Sequence, residues 1–333
     1  MKRQIYKINQ IHQKVFILLI SVLFFLLVFS DYISFKDYHD LSKISNLDYI
    51  NLRMNSLSLD MNLFPRNSAN DILYLSKIDS VKNLIQNSPS NNGEENLLEF
   101  MKQNNAYYQI ILLNENNNLV SKLENLDGEY KIDNEGEVFL EETFQSEIEK
   151  LRKEEVVVSD ITLEENKKNK ISTLSYATSV FNGEEKIGTL IIKADADYFL
   201  DDIRYAQREG EKVFLIGKNG EYIANENREK EFRLKEGISI FLDYPELAET
   251  SLFDMEKVIE SEEYFFSFKQ LTMSKGYFIE YSEDSSNVWI LVFVTDKSCL
   301  KIIGFKDFLV YEIPSFLILF LIIILYFIVG RRI

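Results

Sequence analysis

Two apolar runs, one near each end of the chain, limit what it can fold into. Val15–Phe29 is interrupted only by Ser21, and Ile313–Val329 only by Pro314 and Ser315. A bilayer core of about 30 Å takes roughly 17–25 apolar helical residues. The second run meets that length, and the first does so with its flanks. Lys2, Arg3, Lys7 and Lys14 precede the first run; Arg331 and Arg332 follow the second. Basic flanks are retained on the cytoplasmic side. The pattern therefore predicts transmembrane helices over 15–33 and 313–329 in the plasma membrane. Both termini, 1–14 and 330–333, would be cytoplasmic, and the residues between the spans would be extracytoplasmic. A cleaved signal peptide is the competing reading. Phe29-Ser30-Asp31-Tyr32 offers no small-x-small cleavage site, which favours an uncleaved anchor.

All 53 acidic residues lie between Asp31 and Glu312, with 31 of the 37 basic ones, leaving this region a formal charge of −22. Such a surface repels nucleic-acid phosphates and anionic lipid headgroups. No nucleic-acid partner is expected, and solubility alone accounts for much of the charge. The region contains one cysteine, Cys299, so no internal disulfide can form and stability must come from burial. Its length is ample for one or two cores.

Between the spans the periodicity changes character. Leu41, Ile44, Leu47, Ile50, Met54, Leu57 and Met61 recur every three or four residues, predicting one long helix from about Tyr32. Phe64-Pro65-Arg66-Asn67-Ser68 predicts its end. Asn67 or Ser68 would cap a second helix carrying Ile72, Leu73, Leu75, Ile78, Val81, Leu84 and Ile85. A third helix is expected over Glu94–Gln103. Strands follow at Tyr107–Leu113, Leu119–Leu123 and Val156–Val158. Thr173–Phe181 and Lys186–Ala194 flank Asn182-Gly183, a strong hairpin signal. Asp195 would cap a helix over Ala196–Ala206. A second unit repeats the pattern. Strands Val213–Ile216 and Tyr222–Ala224 flank Asn219-Gly220. A helical or irregular stretch spans Glu226–Ser261, and strands follow at Tyr264–Lys269, Tyr277–Tyr281 and Val288–Val294. A helix would then start at Asp296. Helices followed by two antiparallel sheets indicate an α+β architecture.

In order along the chain, five segments resemble the double Cache family of extracytoplasmic sensor domains. They are Asn70-Asp71-Ile72-Leu73-Tyr74-Leu75-Ser76; Tyr107-Tyr108-Gln109-Ile110; Val158-Ser159-Asp160-Ile161 with Leu174-Ser175-Tyr176-Ala177-Thr178-Ser179-Val180; Gly188-Thr189-Leu190-Ile191-Ile192; and Phe214-Leu215-Ile216-Gly217-Lys218-Asn219-Gly220-Glu221-Tyr222-Ile223. The resemblance implies a long N-terminal spine helix and two PAS-like antiparallel-sheet lobes in series, flanked by the two transmembrane helices. The spine and membrane-distal lobe would occupy 34–206, the membrane-proximal lobe 207–304, and a juxtamembrane helix 305–312. Such domains are the sensing half of histidine kinases, chemoreceptors and diguanylate cyclases. Gly330-Arg331-Arg332-Ile333 resembles the entry to a HAMP linker, which implies a cytoplasmic signalling domain or partner outside this sequence.

The resemblance also places a small-molecule pocket in the distal lobe. Its candidate residues are Tyr107, Tyr108, Ser175, Tyr176, Thr178 and Lys193, although strand alternation sends neighbours to opposite faces. Half-buried sheet packing is the plainer role for the tyrosines. Amino-acid-binding members carry an Arg-x-Trp-Tyr cluster and an acidic residue near the last strand. This chain lacks the cluster, has Lys193 at the acidic place, and has Ser175 where relatives have arginine. An α-amino acid is therefore disfavoured; Lys193 could instead pair with the carboxylate of a small anion, although Ser175 removes a second anion anchor, and the ligand's identity is open. Asp195, Asp197, Asp201 and Asp202 lack calcium-loop spacing, and no zinc, phosphate-loop or catalytic motif is present. No metal, cofactor or enzymatic activity is expected. The reading is a sensor acting as a homodimer through stalk and transmembrane helices; the alternative is an anchored scaffold or adhesion protein without a ligand.

Overall fold

The computed structural model describes residues 2–88, 92–126, 128–134, 138, 140–165, 170–248, 258–271, 288–300, 310 and 316–324. Contacts divide the chain into two units. One comprises Met1–Ile50 with Lys297–Ile333, and the other Asn51–Asp296.

The first unit carries the apolar ends. Helix α1 (Lys2–Lys77) begins here. From Lys14 onward it is long and apolar enough to cross a membrane, and its most apolar stretch is unburied. Residues 316–324 of the second run are also helical, and the remainder of that run lies outside the described residues. The Phe24 and Phe316 rings meet at 5.5 Å between centroids. Leu41 and Ile44, placed on the buried stripe by periodicity, are exposed here; that stripe becomes buried only at Ile50.

In the second unit α1 runs unbroken through Pro65, where the sequence predicted its end. A proline inside a helix removes one backbone hydrogen bond and crowds the preceding turn, at a cost of about 3 kcal/mol. Burial offsets that cost. Met54, Ser58, Met61, Pro65, Ser68 and Ile72 form a continuous inward stripe at spacings of three and four. The break falls instead at Ile78, whose extended backbone separates α1 from α2 (Asp79–Ile85). Ser68 is thus a mid-helix residue and caps nothing. Helix α3 (Gly93–Gln103) buries Leu97 and Met101.

The first sheet has strand order β3-β2-β1-β7-β6-β4, with β5 paired to β6. Its strands are β1 (Tyr107–Asn114), β2 (Leu119–Leu126), β3 (Glu129–Ile132), β4 (Val156–Val158), β5 (Thr162–Glu165), β6 (Lys170–Asn182) and β7 (Glu185–Asp195). Helix α4 (Glu142–Lys150) precedes β4. The sequence reading left β3, α4 and β5 unassigned. Each is short, and polar residues interrupt its apolar pattern, so tertiary packing decides them. One sheet face carries Ile110, Leu112, Tyr176, Leu190 and Ile192, all fully or nearly fully buried. The helices α2 and α3 pack on β1, β2 and β7. The opposite face carries Ile111, Leu113, Val157, Ala177 and Ile191, which form a core with Phe144, Ile148 and Leu151.

Helix α5 (Asp197–Arg204) leads to the second sheet, with order β10-β11-β12-β8-β9. These strands are β8 (Glu211–Ile216), β9 (Tyr222–Ala224), β10 (Val258–Glu260), β11 (Tyr264–Leu271) and β12 (Trp289–Asp296). The strand β10 falls in a stretch read as helical or irregular. It pairs Val258–Glu260 with Phe265–Ser267 at a sheet edge. The expected strand at Tyr277–Tyr281 lies outside the described residues, as does most of the helix expected after Asp296; Lys297–Cys299 forms a 3₁₀ turn. The Asn219-Gly220 turn behaves as expected. Gly220 has φ +80°, and a Cβ there would meet the Phe241 ring at 2.4 Å. The core of this lobe joins Phe214, Tyr222, Tyr244, Phe266, Ile290 and Val292 with the short helix α6 (Ile240–Asp243).

Candidate functional site

Strand alternation builds a polar rung across the first sheet. Gln109 of β1 pairs with Glu124 of β2 and with Lys193 of β7, and Lys193 pairs with Ser175 of β6. Ser159, just after β4, extends the rung: its amide donates to the Ser175 carbonyl at 2.9 Å, and its hydroxyl accepts from the Ser175 amide at 2.9 Å. Two residues further along, Ile111, Ile191, Ala177 and Val157 make the rung apolar, and α4 covers it. Where that cover ends, the polar rung floors a cavity of ≈ 510 Å³. Thr162, Leu163 and Glu164 of β5 form one wall; Lys122, Val138, Leu140, Glu141 and Phe144 form the other. This volume lies in the range of small-molecule sites.

Three ion pairs set the electrostatics. The Lys193 ammonium donates to Glu164 Oε1 at 2.7 Å, and Lys193 is 5% exposed. The Tyr108 hydroxyl donates to Glu164 Oε2 at 2.8 Å and shares a 2.8 Å hydrogen bond with Thr173. Burial first, and then the Glu164 charge, push the Tyr108 phenol up, so it remains a neutral donor. Across the cavity Glu124 takes Lys122 at 2.8 Å, Lys131 at 2.7 Å and the Gln109 amide at 2.9 Å. Burial alone would raise the Glu124 carboxyl, but hydrogen bonds from Lys122 and Lys131 outweigh it and hold the group below its ordinary value. A ligand with both an acceptor and a donor end meets paired charges of both signs here.

The six residues singled out from sequence are divided by the sheet. Ser175 and Lys193 line the cavity. Tyr108 stands behind it, one hydrogen bond away through Glu164. Tyr107 belongs to the other face: its hydroxyl donates to Asp71 at 2.6 Å and to Ser68 at 3.3 Å on α1. An irregularity in the β1–β7 register between Tyr107 and Gln109 separates the neighbouring tyrosines. Tyr176 is fully buried on that same face. Thr178 is buried too, and its hydroxyl donates to the Glu155 carbonyl at 2.7 Å. The sequence reading missed Gln109, Lys122, Ser159 and Glu164. Gln109 was legible, since alternation with Ile111 places it on the Lys193 face. Glu164 was not, because it depends on a strand with no sequence signal.

The aspartates after β7 have other partners. Arg204 donates to Asp197 and Asp201 at 2.8 Å each, and grips Glu231 with two bonds of 2.8 and 2.7 Å. Arg228 also pairs with Asp197 and Asp201, at 2.8 and 3.2 Å. Among the described residues no group of three or more His, Cys, Asp or Glu is placed to hold a metal ion.

No family model matches the chain, and no curated protein matches it. Solved structures do. The extracellular domain assigned to histidine kinase vpHK1S-Z8 superposes with a TM-score of 0.57 at 13% identity, covering 82% of this chain and 98% of that one. A domain of a sensory box/GGDEF family protein from Vibrio parahaemolyticus gives 0.58 at 13% identity, covering 79% and 99%. The ligand-binding domain of the amino acid chemoreceptor PctC of Pseudomonas aeruginosa PAO1, in complex with GABA, gives 0.50 at 11% identity, covering 74% and 98%. With its long N-terminal helix and two antiparallel sheets in series, the chain shares the α+β fold of these domains.

Proposed function

We propose that this protein is the membrane-anchored, extracytoplasmic sensing module of a signalling receptor, and that it binds a small molecule on the polar rung of the first sheet. One observation carries the reading: a cavity of ≈ 510 Å³ whose floor and walls bring together Gln109, Lys122, Ser159, Glu164, Ser175 and Lys193. Buried ion pairs add little net stability over apolar packing, so their retention beside a cavity supports a ligand role over a plain scaffold.

The ligand reading follows from the chemistry of the lining. Lys193 would exchange part of its Glu164 contact for a ligand carboxylate, with the Ser159 and Ser175 hydroxyls and the Gln109 amide placed around it. A small anion with at least one further polar group fits this set. In the two-span arrangement the distal lobe (34–206) receives the ligand and the proximal lobe (207–304) lies between it and the membrane. The spans at 15–33 and 313–329 place both termini in the cytoplasm of a homodimer. A displacement of α1 carries the signal to a cytoplasmic output. Binding shifts that equilibrium only by the difference in affinity for its two states.

The test is a thermal-shift screen of the full chain in lipid nanodiscs against small carboxylates, amines, nucleobases and sugars. A ligand specific for the folded state raises the midpoint with concentration. The expected hit is a small carboxylate whose binding weakens at least tenfold in Lys193→Ala. Saturable binding that Lys193→Ala leaves unchanged would sink the anion reading; a folded protein that responds to nothing would favour the scaffold.

A further inference from the structure

The second lobe contains a smaller cleft that the distal-lobe reading does not use. It lies between α1 and the edge of the second sheet, with a volume of ≈ 210 Å³, lined by Asn51, Met54, Asn55, Val258, Ser267 and Lys269 among others. Ser267 of β11 is 2% exposed, and its hydroxyl has no hydrogen-bond partner among the described residues. Leaving a buried hydroxyl unsatisfied costs about 1–3 kcal/mol. Lys269 lies two residues along the same strand, so both side chains project from one face. Its ammonium hydrogen-bonds the Asn55 carboxamide oxygen.

The chemistry of this lining is one-sided. Among the described residues that line it, Lys269 is the only charged one. In a region with a formal charge of −22, a cleft whose described lining carries a lysine and no carboxylate is a positive spot. The two asparagine amides, the serine hydroxyl and the ammonium supply donors, while Met54 and Val258 supply an apolar wall. A volume of about seven waters admits only a few heavy atoms. We infer that this cleft binds a short-chain monocarboxylate of acetate to butyrate size. The carboxylate accepts from Lys269 and Ser267, and the alkyl tail lies against Met54 and Val258. Because Asn51, Met54 and Asn55 belong to α1, occupancy would act directly on the helix that leads out of the lobe.

Equilibrium dialysis of radiolabelled propionate against the full chain in lipid nanodiscs, at constant ionic strength, tests this. The expected result is one saturable site that Lys269→Met weakens at least tenfold, about 1.4 kcal/mol, and that Ser267→Val also weakens. Lys269→Met keeps the packing stem and removes only the charge, so the fold is retained. Lys193→Ala, in the distal cavity, leaves this site intact, so its failure and that of the distal reading are distinguishable. Absence of saturable binding would overturn the inference, as would binding that both Lys269→Met and Ser267→Val leave unchanged or that Lys193→Ala abolishes.

Discussion

Arg204 is where the fold is most exposed to a single substitution. It ends α5, the helix between the two sheets, and its side chain is 4% exposed. Its guanidinium makes a two-bond fork with Glu231, at 2.8 and 2.7 Å, and Glu231 is itself only 6% exposed. Burial alone would lower the guanidinium pKa; hydrogen bonds to Glu231, Asp201 and Asp197 outweigh it and raise it. In Arg204→Met, Asp197 and Asp201 keep Arg228 as a partner. Among the described residues Glu231 then keeps only the Asn225 backbone amide, at 2.9 Å. The main loss is therefore one buried carboxylate left without its cation, and breaking a buried pair from one side costs about 3–5 kcal/mol. Arg204→Lys keeps the charge but loses the fork, at a cost of about 1–2 kcal/mol. Removing both partners in Arg204→Met/Glu231→Met leaves no orphaned charge and should recover most of the loss, to within about 2 kcal/mol of the parent. Urea unfolding of the full chain in detergent, followed by the fluorescence of its single tryptophan, Trp289, gives these values, and adding Glu231→Met alone closes the double-mutant cycle. A single substitution costing less than about 1 kcal/mol, or a double variant as unstable as the sum of the singles, would refute the orphaned-charge argument.

Three further outcomes are expected from the same assay. Gly188→Ala places a Cβ 2.2 Å from the backbone oxygen of Leu113, so β1 and β7 must part; a loss of about 3 kcal/mol is expected. Pro65→Ala restores a backbone donor inside α1 and should stabilise the protein by about 1–2 kcal/mol, after allowing for lost proline packing; a destabilised variant would show that the ring's packing outweighs the missing bond. Burial pushes the Asp195 carboxyl up to about 6 from its ordinary 3.8. The folded state then binds this proton more tightly, so the group's contribution falls as pH rises from about 4 to 6 and stays low above. Asp195→Asn should remove that fall and gain about 1–2 kcal/mol at pH 7, after discounting for solvent screening; parallel pH profiles for parent and variant would contradict it.

Much of the architecture was legible in the sequence. The order of helices and strands, both Asn-Gly turns and the split into two antiparallel sheets follow from apolar periodicity and turn chemistry, which act over a few residues. The same local signals put Ser175 and Lys193 on strands of one sheet. The misreadings share a cause. At Pro65 a local rule predicted a break, but the inward stripe from Met54 to Ile72 holds the helix together through contacts far away in sequence. The strand β5 has no pattern of its own and exists because Glu164 and its neighbours pair with β6.

What the sequence determined by itself was the class of fold and the separation of apolar ends from an acidic middle, because periodicity, length and charge are properties of the chain before it folds. Only the tertiary structure decided the site. A register irregularity turned Tyr107 away from the cavity, cross-strand pairing aligned Gln109, Lys193 and Ser175 on one rung, and α4 stopped short of covering them. Each depends on which strands become neighbours, and that is settled by the collective burial of both sheet faces rather than by any segment alone.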